Sequence, residues 1–377
     1  MNIDIIGAGI GGLTAAIALQ KKGIEVSVFE QASKIKPVGA GIILANNAMQ
    51  VYDRLGLREE IEESGNSISA MNITNAQLNV ISGVDLTYFE EKFHVRNTAI
   101  HRGKLQKMLS RQLCEGSLHL NKVLSRVRQI DSGYRLEFED GSEVVSQVLI
   151  GADGINSTVR NCFFSENRVR HASQLCWRGV TNLILPKRYQ NELNEAWGKG
   201  GRFGFVQIAP EKVYWYALKT FKYHQPQPTL NDLSALFSDY HPIIREIIRK
   251  TVPEAIHTAE ISDLQPIKKW HQNQVVLLGD AAHATTPNLG QGACQAIEDA
   301  FVLSECLVKY DVGEAFAKYQ QLRMPKAHRV VNTSWTLGKL AHWQNPLAVW
   351  FRNQLMSMTP TQVNRKQSEK IFQLASV

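Results

Sequence analysis

A glycine run close to the N-terminus constrains the fold more than any other feature: Gly7-Ala8-Gly9-Ile10-Gly11-Gly12 follows Ile3-Asp4-Ile5-Ile6 directly. A short apolar run of that kind suits a buried parallel strand, so the order reads strand, turn, helix. In such a turn Gly7 permits the tight reversal, Gly9 lets backbone approach a pyrophosphate, and Gly12 lets the helix lie close to the strand. The helix N-terminus offers free N–H groups to an anion. Leu13, Ala16, Ile17 and Leu19 supply an apolar helix face, and Lys21-Lys22-Gly23 closes it with cations at the negative pole and a glycine cap. A second strand, Ile24 to Phe29, leads to Glu30, close to the spacing of roughly 20 residues at which an acid accepts hydrogen bonds from a ribose 2′-OH. A carboxylate there repels a 2′-phosphate, so the unit suits an ADP moiety and disfavours NADP. It leaves FAD and NAD both open.

A chain of 377 residues, 44% apolar, is too long for one ordinary core and implies two domains. No apolar stretch reaches the roughly 18 to 20 residues of a membrane span, and the early apolar segment lacks a basic leader. A cytoplasmic protein without integral membrane association is expected. The five cysteines, Cys114, Cys162, Cys176, Cys294 and Cys306, show no metal-binding spacing, and their odd number argues for free thiols. The net charge of +7 comes from scattered Lys and Arg, without the blocks that mark a nucleic-acid binder. Such a field favours small anionic partners, a nicotinamide dinucleotide or a carboxylated substrate among them.

Beyond Glu30, Pro37-Val38-Gly39-Ala40-Gly41-Ile42 reads as a loop built for close backbone approach, followed by a helix around Ala48 to Leu55. Strand-like residues run from Ile73 through Val80 and Val84 to Tyr88-Phe89, before helical periodicity returns at Leu105, Met108, Leu109 and Leu113. Asp140-Gly141 marks a hairpin between Tyr134–Phe138 and a strand from Val144 to Ile150. Strands are expected at Leu175–Leu185, Arg202–Ala209 and Lys212–Thr220, the last two joined by a short turn at Pro210-Glu211. Helices follow near Leu230–Phe237 and Ile243–Lys250. A buried strand, Val275 to Leu278, feeds into Gly279-Asp280, and a long helix begins after Gly292. The tryptophans Trp177, Trp215 and Trp270 read as core.

Three segments in this order make the chain resemble the single-component FAD-dependent aromatic monooxygenases, the group typified by p-hydroxybenzoate and salicylate hydroxylases. They are Gly7-x-Gly9-x-x-Gly12, then Gly151-Ala152-Asp153-Gly154 through Arg160, then Gly279-Asp280-Ala281-Ala282-His283 with Pro287-Asn288-Leu289-Gly290-Gln291-Gly292. The resemblance implies an α/β fold: a Rossmann-type FAD-binding domain of the glutathione-reductase kind, an inserted mixed β-sheet substrate domain, and C-terminal helices. The FAD-binding domain would comprise 1–72, 96–170 and 260–338, the sheet domain 73–95 and 171–259, and the helical segment 339–377. A monomer or a homodimer is compatible with this layout.

By the same resemblance, FAD would be held by Gly7, Gly9, Gly11, Gly12, Glu30, Gln31, Gly41, Arg102, Val123, Asp153, Asp280, Gly290, Gln291, Gly292 and Ala293. The helix starting at Gly292 would turn its positive end to the flavin, and Arg160 would accompany Asp153. His283 reads as a support beside the flavin loop rather than a base. The nearest branch is urate-hydroxylase-like, and places Arg202 and Tyr214 against the substrate, with Asn288 in the same site. That branch carries Asn where this chain has Cys176 and Asp where it has Asn288, so urate is not the expected substrate. The implied chemistry is hydride transfer from NADH or NADPH to FAD, reaction with O2 to a flavin C4a-hydroperoxide, and hydroxylation of a small aromatic or heteroaromatic ring. A reductase or oxidase on the same fold, or a non-catalytic FAD-binding protein, is the alternative.

Overall fold

Asn2–Ile6 forms the expected strand and lies inside a six-stranded sheet. The order is His271–Gln272, Val275–Leu277, Val148–Gly151, Asn2–Ile6, Glu25–Phe29 and Leu118–His119, parallel except for the first pair. The computed structural model describes residues 2–35, 40–199, 201–222 and 227–377. Pro37, Val38 and Gly39 of the expected glycine loop lie outside the described residues.

A parallel sheet is covered on both faces, which is why Ile3, Ile5, Ile6, Val275, Val276 and Leu277 are all buried and show no alternation. Helix Ile10–Gln20 packs on this sheet and against helix Gly292–Lys309, so the two glycine motifs meet in space. A Cβ on Gly11 would stand 2.9 Å from the Ala296 side chain, on that second helix. At Gly12 the fit is closer, since a Cβ there would lie 2.0 Å from the Gly7 carbonyl oxygen.

The second layer is a seven-stranded sheet ordered His257–Leu264, Val169–Asn182, Lys212–Thr220, Gly201–Ala209, Glu192–Gly198, Ala70–Asn75 and Val80–Asp85. Neighbours are antiparallel except Glu192–Gly198 with Ala70–Asn75. Side chains alternate between its faces. Trp177, Phe203, Phe205, Val213, Trp215 and Ala217 enter one core with Ile243, Ile244, Ile247 and Ile248 of helix Pro242–Lys250. The opposite face carries Cys176, Arg178, Glu195, Arg202, Tyr214 and Tyr216, which the strand registers place side by side.

Several boundaries differ from expectation. The sheet takes in Ala70–Asn75, which starts ahead of residue 73, and His257–Leu264 crosses the expected 259/260 border. Tyr88 and Phe89 sit in helix Thr87–Phe93, not in a strand, because Phe89 turns into the main core. The strand expected from Val144 to Ile150 is two: Glu143–Ser146 closes the hairpin sheet, and Val148–Gly151 joins the parallel sheet beside Asn2–Ile6. Helix Val312–Ala341 runs through the expected 338/339 border.

Gly12→Ala must move the helix off the strand, an overpacking cost of about 1–3 kcal/mol. The expected result is a lowered Tm together with reduced flavin content of the purified protein; a variant with unchanged values for both would show that the close approach is not needed.

Candidate active site

The motifs converge through a few specific contacts. The Glu30 carboxylate accepts the Ala8 N–H at 2.8 Å and the Ala32 N–H at 2.9 Å, so the acid after the second strand also shapes the glycine turn. Its oxygens keep further lone pairs for a ribose hydroxyl. The Lys122 N–H is donated to the Glu30 carbonyl oxygen, which sets Val123 beside Glu30 and the exposed Gln31. A Cβ on Gly7 would stand 2.4 Å from the Ala152 carbonyl oxygen, so the second motif lies directly against the first.

Arg160 is buried and donates to the carbonyl oxygens of Ala281 at 2.9 Å and Ile155 at 2.5 Å. It makes no ion pair with Asp153; instead it pins the second motif to the third. Asp153 Oδ2 accepts the Val159 N–H at 3.1 Å, and burial pushes its carboxyl above the usual range.

The Gly279–His283 loop is held by a buried ion cluster that sequence reasoning missed. Asp299 Oδ2 accepts the Gly279 N–H at 3.1 Å and bonds His283 Nε2 at 2.5 Å, while Arg323 Nε donates to Oδ1 at 2.8 Å. Burial alone would raise the Asp299 carboxyl, but the charges and hydrogen bonds of His283 and Arg323 outweigh it and hold the group down at about 2. The histidine is thus engaged by Asp299 within the buried cluster. Asn47 Nδ2 ties Glu298 of the same cluster to Gln291, the cap of helix Gly292–Lys309. Gly290 is exposed, and Gly292 and Ala293 are half-buried at the helix start.

Asp280 leads out of this cluster. Its side chain is solvent-accessible yet surrounded by protein, the mark of a group lining a concave cleft. Enclosure pushes its carboxyl up, against the pull of His283 and Arg102. Arg102, at the start of helix Arg102–Arg111, lies within charge reach of both Asp280 and Tyr214. A Cβ on Gly41 would stand 2.4 Å from the Tyr214 ring, so the sheet face carrying Tyr214 abuts the nucleotide-binding layer. These residues fit FAD: a Cβ on Gly9 would meet no atom within 4 Å, leaving its backbone open to a pyrophosphate, and the first turns of helix Gly292–Lys309 pack through Ala296 on Gly279, next to Asp280 in the chain.

Arg202 and Tyr214 occupy the two expected hairpin strands, but Arg202 is not a free cation. It is 1% exposed, and donates from Nε to His342 Nε2 at 3.1 Å, from Nη1 to Glu195 Oε1 at 3.2 Å, and from Nη2 to Asn288 Oδ1 at 2.5 Å. Asn288 in turn donates to Thr286 Oγ1 and the Ser334 carbonyl oxygen, both at 2.8 Å. Asn288 therefore acts as a neutral clip between the third motif, helix Val312–Ala341 and the sheet. Glu195 also accepts from Trp197 Nε1 at 2.6 Å and from the Tyr216 hydroxyl at 2.5 Å. The Tyr216 ring crosses Gly204 on the intervening strand, where a Cβ would stand 2.2 Å away, to reach Glu195. Glu195, Tyr216, Arg178 and His342 were not singled out from sequence, although the period of two that links Tyr214 to Tyr216 was available. Burial pushes the Cys176 thiol up to about 11, against the pull of Arg178 and Arg202.

The FAD binding domain model matches residues 1–334. The chain belongs to this family, and it is an FAD-dependent monooxygenase. Aurachin C monooxygenase/isomerase of Stigmatella aurantiaca is 36% identical over 95% of this chain and 94% of its own length. The 2-heptyl-3-hydroxy-4(1H)-quinolone synthase of Pseudomonas aeruginosa is 32% identical over 99% and 98%. The crystal structure of Klebsiella pneumoniae HpxO complexed with FAD and uric acid superposes with a TM-score of 0.89, at 25% identity over 99% of this chain and 96% of that one.

Two predictions concern the Arg202 network of this monooxygenase. Glu195→Ala leaves a buried guanidinium without its counter-ion and is expected to destabilise by about 3 kcal/mol, measured by denaturant unfolding, with Glu195→Gln losing less. Burial, then the charges of Arg202, Lys219 and Arg352, hold His342 down at about 3 from its ordinary 6.5. The unfolded chain takes up this proton below 6.5 and the folded one does not, so stability is full above 6.5 and falls as pH drops from 6.5 towards 3. His342→Gln, which keeps an acceptor without titrating, is expected to flatten the unfolding midpoint across that window.

Proposed function

We propose that this monooxygenase hydroxylates an uncharged bicyclic heteroaromatic of the quinolone kind, with NADH or NADPH as reductant and O2 as oxygen source. The observation that carries the reading is the meeting of two surfaces. The sheet face with Tyr214 lies on Gly41 and within charge reach of Arg102, which in turn is within charge reach of Asp280. Bound FAD supplies reducing power to O2 and the activated oxygen for the ring. The chain's own residues do the rest: they bind, orient and keep water away.

Tyr214 is the ring-positioning group. Its hydroxyl is pushed well above the ordinary range by burial, so it stays protonated and donates a hydrogen bond at neutral pH. Arg202 is a positioning residue, since Glu195 already matches its charge. That internal match leaves Arg202 without a free charge to offer a substrate carboxylate. Arg178 stands on the same face within charge reach of Tyr214 and Cys176, and has no ion-pair partner among the described residues. It offers the cation that a ring oxygen would meet as the ring gives up its proton. The quinolone class is supported by the likeness to the quinolone synthase, and Cys176 and Asn288 depart from the urate-hydroxylase pattern. The five cysteines are free, three of them buried, which supports a cytoplasmic setting.

The test is turnover of 2-alkyl-4-quinolones with NAD(P)H under isotopically labelled O2. Label in a hydroxylated product is expected; NAD(P)H oxidation that yields only peroxide across such substrates would return the reading to an oxidase. Asp280→Ala is expected to cut flavin affinity by about tenfold or more, as loss of a charged hydrogen-bond acceptor does. Arg202→Ala is expected to keep FAD but to divert NAD(P)H use from product to peroxide, and unchanged coupling would remove Arg202 from the site.

A further inference from the structure

Beyond the active site, the largest unexplained feature is an exposed apolar stripe near the C-terminus. Helix Pro346–Ser357 packs on the edge strand Val80–Asp85. Arg352 fastens its inner side: buried, it donates to the carbonyl oxygens of Leu340 at 2.9 Å and Ala341 at 3.2 Å, and stacks 4.8 Å from the Trp197 ring. The outer side faces solvent with Leu347 at 79% exposure, Trp350 and Phe351 at 61%, Leu355 at 62% and, just past the helix end, Met358 at 76%. Positions 347, 350, 351, 355 and 358 follow the helical repeat, so these side chains form one continuous stripe. Trp343 leads into it, also exposed. Large apolar residues gathered this way mark an interaction surface, whereas single exposed ones do not.

Charge identifies what the stripe meets. Lys339, Lys366 and Lys370 accompany it in sequence without an acidic partner among the described residues, Arg365 pairs with Asp85 at 3.7 Å, and Glu369, the only side-chain acid in 339–377, pairs with Lys92 at 2.7 Å. Helix Thr361–Phe372, which carries three of these cations, packs on the same Val80–Asp85 strand. An apolar stripe with tryptophans, in a segment whose unpaired charges are cationic, matches the boundary of an anionic bilayer. A second copy applied face to face would bring like charges together. Among the described residues no helix is long and apolar enough to cross a membrane, so the mode is peripheral.

We propose that helix Pro346–Ser357 docks the protein on an anionic phospholipid surface. Arg352 ties this helix to Trp197, and His342, four residues before the helix, accepts from Arg202, so the docked face adjoins the polar face of the sheet. Docking is independent of which ring the enzyme hydroxylates.

The test is co-sedimentation of the FAD-loaded, full-length protein with vesicles of phosphatidylcholine alone or mixed with phosphatidylglycerol. Binding to the mixed vesicles is expected to be about tenfold or more tighter than to the neutral ones, and to weaken with salt. Leu347→Glu/Phe351→Glu, with flavin content and Tm as in the parent, is expected to abolish it. Hydrogen exchange on the unaltered protein provides a check that needs no variant: mixed vesicles are expected to slow exchange over 346–357. Failure to bind either vesicle, binding that the double variant retains, or unchanged exchange over 346–357 overturns the proposal. A dimer seen by light scattering that the double variant dissolves, without vesicle binding, overturns it in favour of a second copy on the stripe.

Discussion

The Asp299 carboxylate is the interaction on which the rest of the site depends. It takes the Gly279 N–H and the His283 ring on one oxygen and Arg323 on the other, and so fixes the loop that leads to Asp280. A buried carboxylate is costly unless it is paired and fully hydrogen-bonded. Here the pairing joins the third motif to helices Gly292–Lys309 and Val312–Ala341, since Asp299 lies on the first and Arg323 on the second. Arg323 also reaches Glu298, whose other oxygen accepts from Asn47. One buried cluster thereby sets the loop, the helix start and the neighbouring layer together.

A second polar network does comparable work on the polar face of the seven-stranded sheet. Glu195 gathers Trp197, Arg202 and Tyr216, while Arg202 reaches on to Asn288 and His342. These groups come from three strands of the sheet, the glycine-rich loop and the turn after the long helix. Their hydrogen bonds bridge what would otherwise be separate layers, and a satisfied buried network favours one arrangement over its alternatives. The seven-stranded sheet thus divides its labour by face: aromatic core on one side, polar site on the other.

Much of the nucleotide layer was legible from sequence because its determinants are local. A strand, a glycine turn and a helix are contiguous, and Gly12 against Gly7 is a contact between near neighbours. The hairpin Gly201–Ala209 with Lys212–Thr220 was legible for the same reason, its alternation and turn lying in one short stretch. The divided strand at Ser146 was not, because leaving one sheet and entering another changes no local propensity. Nor was the helical placement of Tyr88 and Phe89, where packing of Phe89 into the core overrides a strand-like composition.

The sequence by itself determined the family, the nucleotide-binding unit, the order of motifs and the candidate acid Asp280, since each rests on residue types at short spacing. Tertiary structure alone decided that Arg202 is neutralised by Glu195, that Asn288 joins Arg202 to Thr286 and Ser334, and that Arg160 bridges motifs instead of pairing with Asp153. Those outcomes depend on which side chains arrive from distant strands and helices, and on how burial strengthens every charge pairing they make. The exposed stripe on Pro346–Ser357 belongs to the same class. In one dimension Trp343, Trp350 and Phe351 suit either a cover for the flavin domain or a surface that meets a partner, and only the packed fold shows which side chains are left facing outward.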